Sequence, residues 1–213
     1  MLDVVCVLRP GGKVQYDATW VTKLRRAVER HLHVPYRFTC ITDTEVDCDR
    51  IELDPGHRGY WNKLQLFKPG LFTGATLYLD LDTVICADIT PMIRYVQDQR
   101  FVMWYESDKQ IHSSAMMYWQ GDHSYLWQLY CTQTWRQWHL KYHAEPLYGD
   151  QALISEHTQH TLWTDHCPPE WFAIAGVRDK RQRLEDIRVL LFRKPNLKPS
   201  TMGYHPLVQA HWH

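Results

Sequence analysis

Apolar and polar positions along this chain change their period several times, and the changes predict alternating strands and helices. Asp3 to Leu8 is a nearly unbroken apolar run, the pattern of a strand covered on both faces. After the loop Arg9-Pro-Gly-Gly12, Asp17 can cap a helix whose apolar residues Trp20, Leu24, Val28 and Leu32 recur at helical spacing. Tyr36 to Ile41 reads as a second strand closed by Thr42-Asp43. Glu45 to Gly59 reads as polar loop with a short strand at Ile51 to Leu53. Strand, helix, strand is the parallel crossover unit.

Further on, Trp61 to Phe72 predicts a short helix interrupted near Pro69-Gly70, leading into a strand over Ala75 to Leu79. Thr90-Pro91 supplies a cap and a favourable first residue for a helix through Val96. Phe101 to Tyr105 and Ser114 to Trp119 read as strands. Asp122 can cap a long helix through about His139, with Leu126, Leu129 and Tyr130 inward. Gly149-Asp150-Gln151 opens another helix, and Ile187 to Phe192 is a late strand before a tail rich in Pro and His. The order predicts an α/β fold, a single domain over residues 1–213 with a mostly parallel central sheet flanked by helices.

Chemistry enters where the Ala75 to Leu79 strand ends in two carboxylates, Asp80 and Asp82. In extended chain, side chains at i and i+2 share a face, so the two acids can present converging oxygens at the strand's mouth. Such hard ligands suit Mg²⁺ or Mn²⁺, whose open positions a nucleotide's phosphates can fill. Acids in this position also cap helices, so the pair by itself leaves both readings open. In open α/β sheets ligands bind beyond the carboxyl ends of the strands, which gathers Arg9, Asp43, Asp80 and Asp82 at one edge.

Composition narrows the classes. The 24 basic residues balance 24 acidic ones, so the net field gives no reason to expect a nucleic acid or an anionic membrane as partner. Leu2 to Leu8 is too short and too weakly flanked for a secretory signal. No apolar stretch reaches spanning length, which predicts a soluble, cytoplasmic protein without membrane insertion. Six cysteines without a C-x-x-C pair argue against zinc and redox motifs; Cys6, Cys40 and Cys86 read as small hydrophobes. Of the ten tryptophans, Trp104, Trp119, Trp127 and Trp163 read as core. Trp61, Trp171 and Trp212 adjoin polar sequence and are candidates for ligand contact.

Several separated segments together resemble the small GT-A-fold (Rossmann-like) glycosyltransferases related to glycogenin and bacterial lipopolysaccharide galactosyltransferases. They are Trp61-Asn-Lys63-Leu64, Leu77-Tyr-Leu-Asp-Leu-Asp82-Thr-Val-Ile85, Ser113-Ser-Ala-Met-Met117, Gly149-Asp150-Gln151 and Lys198-Pro199, in the family's order and spacing. The resemblance implies that Asp80 and Asp82 ligate Mn²⁺ or Mg²⁺ across a donor's two phosphates, and that Lys63 contacts the donor sugar or phosphate. Asp150 is implied to hold donor hydroxyls, with Gln151 near the anomeric carbon. Val7, Leu8 and Arg9, with Thr42 and Asp43, match strand ends that receive the nucleoside, and Lys198 is the tail residue implied to touch phosphate. The implied activity is retaining transfer of a sugar from a nucleotide-diphosphate donor, UDP-linked, to a hydroxyl of a glycan, protein or DNA acceptor. Each residue also has a plain structural role: Lys63 as a solvated helix lysine, Asp43 as a turn former, Asp150 as a helix cap.

The chain departs from the family near its C-terminus. Where relatives carry a histidine as third metal ligand, it reads Leu191-Phe192-Arg193-Lys194-Pro195-Asn196-Leu197-Lys198-Pro199. Either a tail histidine (His205, His211 or His213) supplies the ligand, or basic side chains take over part of the cation's work on the diphosphate. Residues 178–198 carry eight basic residues against three acidic ones. This reads as a solvated face, a clamp on the diphosphate, or a track for an anionic acceptor such as nucleic acid, which keeps transfer to a modified DNA base open. Two further activities stay open: a metal-dependent nucleotidyltransferase, for which Arg9-Pro-Gly-Gly-Lys13 is a faint phosphate loop, and a non-catalytic nucleotide-sugar-binding module.

Overall fold

Alternation along the first strand decides the layering. In β1 (Leu2–Val7), Val4 and Cys6 join the apolar layer on one side of the sheet and Val5 joins the layer on the other. The same split recurs in β4 (Thr76–Leu79), where Leu77 and Leu79 face the first layer and Tyr78 the second. A sheet made of such strands must be covered twice, and helices cover both faces.

The computed structural model describes all residues except 12–13, 107–108, 145–146, 178–181 and 195. Between β1 and β4 the chain forms α1 (Ala18–His31), β2 (Tyr36–Ile41) and β3 (Asp49–Ile51). After β4 come β5 (Val84–Ile85), α2 (Thr90–Val96), β6 (Phe101–Glu106) and β7 (Ile111–Trp119). The rest comprises α3 (Ser124–Tyr130), α4 (Trp135–Lys141), the hairpin β8 (His143–Ala144) and β9 (Leu147–Tyr148), α5 (Gly149–His157), β10 (Thr161–Leu162) and α6 (Trp163–His166). The chain finishes with β11 (Phe172–Ile174), β12 (Val189–Leu191) and α7 (Pro206–His211).

Seven strands form the main sheet in the order β10-β6-β7-β4-β1-β2-β3. Only β7 runs against its neighbours, so the sheet is mostly parallel, as the crossover pattern predicts. Trp20, Leu24 and Val28 of α1, Met92 and Val96 of α2 and Trp163 of α6 fill one face. Trp61, Leu64 and Phe67, with Leu126 of α3, Trp138 of α4 and Leu153 of α5, fill the other. A smaller sheet, β11-β12-β5, stands beside the main one. It matters because β5 follows the two acids immediately and pairs antiparallel with β12, which brings the C-terminal segment to them.

Several expectations change in detail. The long helix after Asp122 is two helices, because Thr134 and Gln137 form a reciprocal capping box that starts α4 afresh. The Trp61 helix is a 3₁₀ segment, Gly59–Phe67, tied to the preceding loop: the Gln65 amide donates to Asp54 O and its carbonyl accepts from Asp54 N–H. The short strand lies at Asp49–Ile51 rather than 51–53, held by β2. Thr90 is already helical, and its N–H is capped by Asp88 Oδ1 at 2.8 Å. Trp61 is core, 2% exposed, while Trp212 packs edge-on to Trp20 and Trp171 lies under the Arg188 guanidinium; none of the three lines the main cleft. Among the described residues no helix is long and apolar enough to cross a membrane.

Leu79, fully buried at the last position of β4, packs in the layer beneath α1 and α2. Leu79→Ala is expected to cost about 2–5 kcal/mol of stability, read as a lowered urea midpoint with an unchanged slope.

Candidate functional site

The two acids stand on a turn, not on extended chain. Asp80 N–H still donates to Ala115 O of β7 (2.9 Å), but Thr83 N–H donates back to Asp80 O (3.0 Å). Leu81 and Asp82 therefore form the corner. This corrects the pleated i, i+2 expectation: the chain must leave the main sheet within four residues to enter the smaller one at β5, and a turn is the shortest way.

Each acid has one oxygen saturated by a lysine and a tyrosine. Asp80 Oδ1 accepts from Lys63 Nζ at 2.9 Å and from the Tyr78 hydroxyl at 2.5 Å. Asp82 Oδ2 accepts from the Tyr16 hydroxyl at 2.9 Å and from the Lys198 ammonium. Asp80 Oδ2 and Asp82 Oδ1 make no hydrogen bond among the described residues. Asp82 and Lys198 are almost completely enclosed, whereas the Asp80 side chain keeps 30% exposure toward the cleft.

Lys63 joins this end of the site to the next. Every residue from Trp61 to Phe67 is buried, so the lysine reaches the cleft from inside the protein rather than from solvent. Its ammonium contacts Asp80, Asp150 Oδ2 (3.3 Å), Ser114 Oγ (2.9 Å) and Ser114 O (3.2 Å), and lies 5.0 Å from the centre of the Tyr78 ring. Ser114 Oγ donates to Asp150 Oδ2 at 2.6 Å. Burial pulls the Lys63 pKa down, but Asp150 and then Asp80 outweigh it, and the net shift is upward. Burial raises the pKa of Asp150 against the pull of Lys63 and Ser114, and raises that of Asp82 against the pull of Lys198.

Asp150 is not a cap. It sits in the first turn of α5, but its carboxylate is spent on Lys63 and Ser114. The preceding Gly149 has φ of 66°, and a Cβ there would meet Tyr60 Cε2 at 2.7 Å, so glycine lets the Tyr60 ring close on the helix start. Gln151 lines the cleft, and its amide makes no hydrogen bond among the described residues.

These groups open into one cleft of about 980 Å³ at the carboxyl ends of β1 and β4. Val7 and Arg9 line it, as do Tyr16, Tyr60, Trp104 and Tyr148. Leu8, Thr42 and Asp43 do not: Leu8 is core, Thr42 is fully buried and accepts from Thr44 N–H, and Asp43 is reached only through its ion pair with Arg9. The tail histidines are also elsewhere. His205 precedes α7, the His211 ring lies 5.8 Å from that of His31 at the end of α1, and neither histidine lines the cleft. Arg193, in the position expected to hold a ligand or a clamp, pairs with Glu106 Oε2 at 3.0 Å on the cleft wall. Of the basic stretch, residues 178–181 and 195 lie outside the described residues, as do Gly12 and Lys13 of the N-terminal loop.

Among the described residues no three His, Cys, Asp or Glu side chains converge as a metal cage. Asp80 and Asp82 nevertheless fit a divalent cation as a half-site. Each keeps one oxygen clear of hydrogen bonds, and a hard cation such as Mg²⁺ is commonly held by one or two carboxylates with substrate phosphates and water completing the shell. Sequence reasoning missed Tyr16, Tyr78, Ser114 and Glu106. Tyr78, two residues before Asp80 on the same face of the strand, left a readable signal, and Ser114 lay within the Ser113–Met117 segment of the resemblance without a role assigned to it.

Asp150 supplies a pH test. Its folded pKa lies above the usual 3.8, so its contribution to stability is complete below that value and is lost as pH rises through the raised one. Asp150→Asn removes this titration, and its stability relative to wild type should climb as pH is raised from 3.8 toward neutrality, followed by urea midpoints. A gap between the two proteins that stays constant with pH would count against the assignment.

No protein-family model and no curated protein sequence matches the chain. Solved structures do. The galactosyltransferase LgtC in complex with donor and acceptor sugar analogs aligns with a TM-score of 0.64 at 12% identity, over 99% of this chain and 96% of that one. The glycosyltransferase GlyE of Streptococcus pneumoniae TIGR4 aligns with a TM-score of 0.64 at 13% identity, over 99% of this chain and 59% of that one. The bifunctional glycosyltransferase WbbM aligns at 0.58 and 11% identity, over 93% of this chain and 46% of that one. At such identities the likeness is one of backbone, and what it establishes is that this chain has the GT-A fold.

Proposed function

We propose that this chain is a glycosyltransferase that moves a sugar from a nucleotide-diphosphate donor, UDP-linked, to a hydroxyl acceptor with retention at the anomeric carbon. One observation carries the reading. The buried Lys63 ammonium binds Asp80, at the end suited to phosphate, and also Asp150 and Ser114, beside Gln151, at the end suited to a sugar. The likeness to a galactosyltransferase captured with donor and acceptor analogs supports it.

The roles follow from charge. Departure of a nucleoside diphosphate builds negative charge on the leaving phosphate, and the Lys63 and Lys198 ammoniums stand at that end, Lys63 fixed there before reaction by its protein oxygens. Asp80 and Asp82 would hold Mn²⁺ or Mg²⁺, which supplies Lewis-acid neutralisation of the same charge. Asp150 is enclosed and already oriented by Ser114, so it can accept hydrogen bonds from donor hydroxyls without reorganising. Gln151 offers a neutral amide to the cleft rather than a carboxylate nucleophile, which favours attack by the acceptor hydroxyl on the leaving-group face. Tyr60, Trp104 and Tyr148 wall the cleft and limit water, the competing acceptor. The acceptor, whether glycan, protein or DNA, is to be read from the product by mass spectrometry.

Slow donor hydrolysis across a panel of nucleotide sugars tests the reading without a known acceptor. One donor should be cleaved, and Lys63→Met and Asp80→Asn should each lower that rate by about 10²–10³-fold. Transfer products should retain the donor's anomeric configuration by NMR. A panel in which no donor is cleaved and UDP does not bind overturns the proposal.

A further inference from the structure

The two lysines of the site are held very differently. Lys63 is fixed by four oxygens from Asp80, Asp150 and Ser114. Among the described residues, Lys198 has one carboxylate, Asp82, and otherwise only Phe192 O at 3.5 Å. Its backbone is anchored independently of that contact: Lys198 N–H donates to Thr201 Oγ1 (3.0 Å), and Thr201 and Met202 N–H both donate to Lys198 O (2.9 Å). The side chain can therefore let go of Asp82 without unfolding the turn that carries it.

We infer that Lys198 is an internal competitor for the cation site, and that it makes divalent-metal binding depend on a nucleoside diphosphate. An ammonium on an enclosed carboxylate does electrostatically what a monovalent cation would do there. A divalent cation approaching Asp82 meets a fixed like charge at short range, in surroundings that screen it poorly. A diphosphate changes the balance, because it offers Lys198 a new anionic partner and gives the cation ligands that the described residues do not supply. Metal and nucleotide then raise each other's affinity by one and the same factor. Lys63 cannot take this role, since release from Asp80 leaves it bound to Asp150 and Ser114.

The inference rests on the donor reading only for its nucleotide half, so the experiment separates the two. Mn²⁺ affinity is measured by the electron paramagnetic resonance signal of free Mn²⁺, with and without UDP, on wild type, Lys198→Met, Lys198→Arg and Tyr16→Phe. Tyr16→Phe removes the other donor to the same Asp82 oxygen and controls for simple loosening of that carboxylate. Without UDP, Lys198→Met should bind Mn²⁺ at least tenfold more tightly than wild type, while Lys198→Arg and Tyr16→Phe stay near wild type. UDP should raise the wild-type Mn²⁺ affinity at least tenfold and raise that of Lys198→Met much less. Should Lys198→Met fail to fold, because Asp82 is left enclosed and unpaired, the wild-type coupling and the Lys198→Arg affinity still decide. An absence of coupling in wild type that does bind UDP, or Mn²⁺ binding by Lys198→Met no tighter than wild type, overturns the role of Lys198. Failure of UDP to bind wild type sinks the donor reading instead, and leaves the comparison of Mn²⁺ affinities standing as the test of Lys198.

Discussion

A buried ammonium has to be compensated, and the arrangement around Lys63 follows from that requirement. Its side chain comes out of the enclosed segment Trp61 to Phe67 and is only 9% exposed where it meets the cleft, so its positive charge is met chiefly by protein oxygens. Asp80 from the end of β4, Ser114 from β7 and Asp150 from α5 each supply some. Three elements distant in sequence are thereby tied to one point, and losing any partner would strand charge inside the protein. The same contacts leave a cleft whose two ends differ in chemistry, carboxylates and lysines at one, an oriented aspartate and a neutral amide at the other.

The smaller sheet solves a second problem. β5 pairs with β12, and the segment that follows delivers Arg193 to Glu106 and Lys198 to Asp82. Without that pairing Asp82 would be a carboxylate enclosed on a turn with only a tyrosine hydroxyl for company. The turn at Asp80 to Thr83 is thus at once the exit from the main sheet, the entry to the small one and the place where charge is concentrated.

Strong local signals were readable in advance. β2, with the Asp17 cap and apolar stripe of α1, follows from period and capping alone. The break between α3 and α4 was not seen, because a Thr-x-x-Gln box inside an otherwise helical pattern competes with continuation, and only packing around Trp138 selects the restart. β5, β10 and β11 are two or three residues each, too short to carry a period and stabilised wholly by partners far along the chain.

In the site, the apolar strand before the acids marked Asp80 and Asp82 by itself, and the resemblance in order and spacing marked Lys63, Asp150, Gln151 and Lys198. Which of them touch was decided only in three dimensions. Long-range pairing put Lys198 on Asp82 and left His205 and His211 off the cleft wall, and burial made Lys63 a structural centre instead of a solvated helix residue. The physical reason is common to all three: a charge's partner is fixed by where the sheets leave it without water, and that depends on residues more than a hundred positions away as much as on neighbours.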